Sequence, residues 1–202
     1  MLVLKLCKQF CPWAIPGGIT DKISDGADGE VFNLDYSQNK VIKLSVLYET
    51  NDVPLENSYY KINKVLHHIR YKSSPTYVCV HTYDYMIFSS REIYNKSQQR
   101  FVLYYYVMDK LKKISDDERK VFDSLISHGD SGKEKNFSLP KIKEMISGLN
   151  RGLDFDPEKV YSFCEAIQND PVKHLDLHSR NVMKNDQGYF KCVDLDRCEL
   201  RN

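Results

Sequence analysis

Between Arg100 and Met108 the chain reads RFVLYYYVM, a run of β-branched and aromatic side chains that has the composition of a buried strand. Three further segments have the same character: VFNLDY and KVIKLSV, joined by the polar turn SQN, and TYVCVHTYDYMIF. The first two are entered through a glycine-rich bend at Gly17, Gly18, Gly26 and Gly29, and together they predict a hairpin. From Pro54 to Ile69, Leu55, Tyr59, Ile62, Leu66 and Ile69 recur at helical spacing, with Pro54 suited to a first turn. The predicted order is strand, strand, helix, strand, strand.

Beyond Lys110 the pattern changes. Ser115 and Glu118 form a capping-box pair ahead of VFDSLI, Ser138 and Pro140 open a helix carrying Ile142, Met145, Ile146 and Leu149, and Asp156-Pro157 opens another through Val160, Phe163 and Ile167. The polar stretch GDSGKEKN reads as a loop. The expected architecture is α+β with two lobes: an antiparallel sheet with one helix over residues 1–108, and a reduced helical lobe over 109–202.

The 29 basic residues nearly cancel the 28 acidic ones, so net charge calls for neither nucleic acid nor an anionic membrane as partner. Six scattered cysteines in a chain of this size predict free thiols in a reducing compartment, and Cys7 and Cys11 lack a second ligand pair at zinc spacing. The opening MLVLKLCKQFC is interrupted by Lys5 and Lys8 with no cleavage site after it, and no apolar run approaches the about 20 residues of a membrane span. These features predict a cytoplasmic protein.

The chemistry concentrates near the end of the sequence, where HLDLHSRNVM (174–183) is followed by CVDLD (192–196). Asp176 and Asn181 stand five positions apart, and the apolar pair Cys192 and Val193 leads into Asp194. Phosphoryl transfer from a nucleotide needs a carboxylate to orient the attacking hydroxyl and hard oxygen ligands for Mg2+, because catalysis there is mainly positioning and charge neutralisation. Asp176, Asn181 and Asp194 are residues of those types.

The order H-x-D-x-x-x-x-N followed by an apolar-flanked Asp resembles the catalytic loop and metal-binding Asp of the protein-kinase-like superfamily. That resemblance implies Asp176 as the base, and Asn181 and Asp194 as Mg2+ ligands. Upstream, ISDGADGEV is similar to the glycine-rich loop that covers nucleotide phosphates, with Gly26, Gly29 and Val31 in matching places and Ser24 where the first glycine stands. VIK presents Lys43 in the place of the phosphate-holding lysine. A helix carboxylate should hold that lysine, with Glu56 first and Glu49 as the fallback. YYYVMDKL resembles the segment joining the two lobes, so the backbone from Asp109 to Leu111 is expected to meet the adenine edge behind Met108. Val31, Val41 and Met183 would sandwich the ring. The implied cofactors are ATP and Mg2+.

The branch is set by departures. Leu175 stands where protein kinases carry Arg, Asp196 where they carry Gly, and His178 where many have Lys. The pattern H-x-D-L-H-x-x-N with D-x-D is similar to aminoglycoside and choline phosphotransferases, which act on small-molecule hydroxyls. Only six residues follow Asp196, so the chain is expected to lack the acceptor-binding helices those enzymes place there. A further resemblance is to the short serine/threonine kinases of bacteriophage, which share the V-I-K strand and a D-x-H-S-x-N-hydrophobic-Met loop, matched by Asp176, His178, Ser179, Asn181, Val182 and Met183. It implies transfer to Ser or Thr hydroxyls of a protein substrate, a host protein in host cytoplasm if the chain is viral. His178 is carried along as a catalytic-loop residue and His174 as support beneath the loop. The alternatives are a small-molecule hydroxyl kinase and a nucleotide-binding pseudokinase.

Overall fold

The computed structural model describes residues 3–10, 12, 15–26, 29–49, 54–72, 74, 77–88, 100–127 and 139–201. Ala27 and Asp28 of the glycine-rich segment, SSREIYNKSQQ, GDSGKEKN, Ser138 and Cys11 lie outside them. The chain divides into two units, one of Met1–Lys72 with His81–Lys110 and one of Ser73–Val80 with Leu111–Asn202.

The first unit is a five-stranded antiparallel sheet in the order β1-β2-β3-β5-β4, with β1 Ile19–Asp25, β2 Gly29–Leu34, β3 Ser37–Tyr48, β4 Thr82–Phe88 and β5 Phe101–Asp109. β5 is the RFVLYYYVM run, and all its residues from Phe101 to Met108 are buried. A strand paired on both edges satisfies its ladder, so both faces can be apolar. On one face, Phe101, Leu103, Tyr105 and Val107 join Phe32, Leu34, Ile42, Leu44 and Val46 under α1 (Val3–Phe10), which contributes Val3, Leu6 and Cys7. α2 (Leu55–Arg70) lays Leu55, Ile62, Val65, Leu66 and Ile69 inward and packs on β4, β5 and β3.

Two elements of this unit go beyond the predicted order. α1 is short, and Lys5 and Lys8 fall outside its buried stripe, so it reads as a broken apolar stretch in sequence. Its Leu4 N–H donates to the buried Glu30 carboxylate at 2.8 Å, an anion at a helix N-terminus. β1 is exposed along nearly its whole length, so it lacks apolar alternation. The predicted SQN turn also moves: Leu34 pairs with Ser37, leaving Asp35 and Tyr36 as the connection, and Ser37 to Asn39 begin β3.

The second unit holds α3 (Asp116–Ser127), α4 (Leu139–Leu149) and α5 (Pro157–Asn169), with β6 (Lys112–Lys113), β8 (Val182–Lys184) and β9 (Phe190–Cys192) in one sheet and β7 (Val172–His174) with β10 (Cys198–Leu200) in another. The capping box at α3 forms as its sequence predicts: Glu118 N–H donates to Ser115 Oγ at 3.1 Å and Ser115 N–H to Glu118 Oε2 at 2.8 Å. Asp156 caps α5 by accepting from Lys159 N–H at 3.1 Å. Phe122, Phe163 and Phe190 meet edge to face at 4.9–5.9 Å in the core.

TYVCVHTYDYMIF, predicted as one strand, is shared between the units. Thr82–Phe88 joins the large sheet, whereas Val80 N–H donates to Cys192 O at 2.9 Å and Cys192 N–H to Val78 O at 2.8 Å. The Lys191 ammonium donates to Tyr77 O, and Tyr77 Oη donates to Asp170 Oδ1 at 3.2 Å. Among the described residues, no helix is long and apolar enough to cross a membrane, and Cys7, Cys79, Cys164, Cys192 and Cys198 are free thiols. The expected α+β class with an antiparallel first sheet and a reduced helical second part is the architecture observed.

Candidate active site

The motif 174–183 is held at both ends by strand pairing. β7 pairs with β10, His174 opposite Cys198, and Leu175 N–H donates to Arg197 O at 2.9 Å. The chain then passes through Asp176 into a 3₁₀ turn at Ser179–Asn181 and on into β8, where Val182 pairs with Cys192 and Met183 with Lys191.

Asn181 lies at the centre of this arrangement. Its N–H donates to His178 O at 2.9 Å, and its carbonyl accepts from Val193 N–H at 3.0 Å. Its carboxamide Nδ2 donates to Asp176 O at 3.1 Å. Because the NH₂ end is occupied, Oδ1 is the end left to act as an acceptor or ligand. The Val193 bond also places Asp194 one residue beyond Asn181's cross-strand partner. Asp176, Asn181 and Asp194 all belong to the second unit: the Asn181 side chain bonds the Asp176 main-chain carbonyl, and the Asn181 carbonyl accepts from the residue before Asp194.

The Asp176 side chain is half exposed, with Arg197 Nε 4.0 Å from Oδ2. Asp194 Oδ1 accepts from Asp196 N–H at 3.4 Å, a local turn that orients the carboxylate. His178 is half-buried, and its Nδ1 is buried with no hydrogen-bond partner among the described residues. His174 lies between two thiols, Nε2 at 3.5 Å from Cys79 Sγ and Nδ1 at 3.2 Å from Cys198 Sγ. Burial pushes its pKa down to about 4, against the pull of Asp194, so the ring is neutral at physiological pH. Burial likewise raises the Cys79 and Cys192 thiols far above the usual range, which keeps them protonated and unreactive.

Asn181 Oδ1 and the Asp194 carboxylate are hard oxygen donors. Among the described residues no group of three or more His, Cys, Asp or Glu forms a ready-made metal cage. Two protein oxygens, with water and phosphate filling the other positions, is the arrangement Mg2+ commonly takes.

The remaining candidates other than Leu111 and Met183 belong to the first unit. Lys43 in β3 pairs with Val31 and Tyr106, and its ammonium lies 5.9 Å from the Tyr106 ring centroid. Gly29 fits tightly against it, since a Cβ there would come within 2.9 Å of Lys43 Cε. Gly26 N–H donates to Gly29 O at 2.8 Å across the hairpin tip. Val41 and Met108 are paired and buried. Both carboxylates expected to hold the lysine accept from Arg100, Glu49 at 3.1 Å and Glu56 at 2.9 Å, which ties the first turn of α2 to the end of the β3–β5 ladder. The Asp109 N–H donates to His81 O at 3.3 Å and Lys110 N–H to Asn39 O at 2.8 Å, so the first two of the three donors in the segment expected to meet adenine are engaged within the unit. Leu111 and Met183 are half-buried residues of the second unit.

Sequence reasoning missed Arg197, Cys198 and Cys79. The cysteines carry no spacing signal, and their relation to His174 arises only from the β7–β10 pairing and the docking of residues 77–80.

No known family profile matches the chain, and no curated protein matches it. Among solved structures it is similar to one described as "ROP18 kinase domain in complex with AMP-PNP and sucrose", at 12% identity and a TM-score of 0.48, over 91% of this chain and 52% of that one. The chain thus spans about half the length of that structure.

Proposed function

We propose that the protein is a Mg2+- and ATP-dependent phosphotransferase whose acceptor is a Ser or Thr hydroxyl of a protein. The observation that carries this reading is the Asn181 carboxamide, which bonds the Asp176 carbonyl while its backbone is laddered to the strand that leads into Asp194. The half-exposed Asp176 carboxylate is read as the group for the hydroxyl, and Asn181 Oδ1 with Asp194 as two oxygen donors for a hard cation.

In this reading the Asp176 carboxylate accepts a hydrogen bond from the acceptor hydroxyl and takes its proton as the oxygen attacks the γ-phosphorus of ATP, the bond to the β–γ bridging oxygen breaks and ADP leaves. Asn181 Oδ1 and Asp194 would hold Mg2+, which would neutralise charge on the phosphate oxygens. By the resemblance, Lys43 would supply a cation for the phosphates. Protein acceptors are favoured by the phage-like D-x-H-S-x-N-hydrophobic-Met loop. Asp196 and His178, shared with small-molecule phosphotransferases, define the competing acceptor class.

The test is incubation with γ-labelled ATP and Mg2+, in parallel with cell lysate and with a panel of aminoglycosides and amino alcohols. Label on Ser or Thr of lysate proteins supports the proposal. Label confined to small molecules refutes the acceptor assignment, and Asp194→Ala retaining parental transfer refutes the site.

A further inference from the structure

We infer that Cys198 and His174 act as positioning residues for Asp194, through a one-way chain of hydrogen bonds running from Cys79 to the Asp194 carbonyl. Three contacts define the chain: Cys79 Sγ to His174 Nε2 at 3.5 Å, His174 Nδ1 to Cys198 Sγ at 3.2 Å, and Cys198 Sγ to Asp194 O at 3.5 Å. The inference rests on the phosphotransferase reading for its consequence at the metal, but the chain itself exists in the protein alone.

Proton counting sets its direction. A carbonyl can only accept, so the single S–H of Cys198 must point at Asp194 O for that contact to be a hydrogen bond. Cys198 sulfur is then an acceptor toward His174, which requires the proton on Nδ1. A neutral imidazole with Nδ1–H has a bare Nε2, and that nitrogen accepts the S–H of Cys79. All three contacts are satisfied by this one tautomer. The other tautomer, with Nε2–H, forces the Cys198 S–H onto Nδ1 and strips Asp194 O of its thiol donor, leaving two bonds of the three. The Nδ1–H tautomer is thus the one that makes the most of these three contacts.

The chain has a clear structural consequence. His174 and Cys198 are opposed in the β7–β10 pair, and Cys79 belongs to the 77–80 segment hydrogen-bonded to Cys192. Asp194 follows β9 by two residues, outside any strand, and has no ladder of its own. The thiol bond to its carbonyl, with the Asp196 N–H on its carboxylate, fixes the peptide from which the carboxylate projects. Outer partners of this kind hold ligands in register, and losing one commonly weakens metal binding by about 10–100-fold.

Two measurements test this on the full chain. First, ¹⁵N NMR of the histidine rings at pH 7, without metal or nucleotide, should show His174 as the Nδ1–H tautomer; an Nε2–H ring overturns the chain. Second, Mg2+ titration of Cys198→Ala should show an apparent affinity weakened roughly tenfold, with turnover at saturating Mg2+ changed far less, while Cys198→Ser, which keeps an acceptor and a donor, stays within about threefold of the parent. Equal loss in Ser and Ala variants, or none in Ala, overturns the positioning role. If the parent neither binds Mg2+ nor transfers phosphate, the proposed function fails, and the tautomer still decides the chain.

Discussion

Replacing Gly29 and Gly148 by alanine should move stability in opposite directions. A Cβ on Gly29 would lie 2.8 Å from Ser45 Oγ, 2.9 Å from Lys43 Cε and 3.0 Å from Leu44 O. Lys43 can swing aside, but Ser45 is 0% exposed and Leu44 O is main chain, so β2 and β3 must separate. Overpacking of that kind costs about 1–3 kcal/mol. Gly148, within α4, has nothing within 4 Å of an added Cβ, so alanine there stabilises by about 0.5–1 kcal/mol through helix propensity alone. Urea unfolding followed by far-UV circular dichroism should separate the two variants by about 1.5–4 kcal/mol. Amide exchange in β3 and in α4 reads each unit by itself where the two do not unfold together. Because Lys43 is displaced in Gly29→Ala, its ATP affinity should fall while unfolding of α4 is unaffected. A Gly29→Ala protein as stable as its parent would refute the close-approach account of this glycine.

Other expectations follow from the same geometry. Asn181→Ala should lose only an exposed hydrogen bond's worth of stability, about 1 kcal/mol or less, yet reduce phosphate transfer by about 10²–10³-fold; a variant within threefold of parental rates would refute its role as a ligand. Glu118→Ala removes half the α3 capping box and the 2.8 Å pair with Lys184, so a loss of about 1–2 kcal/mol in chemical denaturation is expected. For pH, His174 in the unfolded chain takes a proton near pH 6.5, whereas in the fold burial delays it to about 4. Stability should therefore decline as acid is added between those values, and His174→Gln should flatten that slope; an unchanged slope would show that the ring titrates normally. Arg100→Ala should loosen the start of α2, read as faster amide exchange at Leu55 to Tyr59, because Glu49 and Glu56 lose their shared partner.

What could be read from the letters depended on whether the stabilising contact is local. Capping at Ser115, Glu118 and Asp156 involves residues three apart and was legible directly. β5 declared itself because a strand buried on both faces must be apolar throughout. β1 did not, since its exposed edge position asks for no alternation. The run from Tyr77 to Phe88 looks continuous because periodicity reports burial and not which sheet does the burying. Around the candidate site, a turn links Asn181 to Asp176 and a short hairpin links it to the residue before Asp194, both close enough in sequence to follow from spacing, whereas the roles of the three residues rest on resemblance. Partners across 44 residues, as Arg100 is to Glu56, leave no such trace, and the placement of Glu56 on Lys43 rested on resemblance alone.

The detour of residues 77–80 determines how the chain can be dissected. A fragment beginning at Leu111 would include β9 but lose its companion segment, and with it the partners that residues 77–80 give the Cys192 N–H and carbonyl. Each buried backbone group left unpaired costs about 1–3 kcal/mol. The unit that carries Asp176, Asn181 and Asp194 is thus built from two separate stretches of sequence. Any minimal version of it has to supply the earlier stretch as a covalently joined or added peptide.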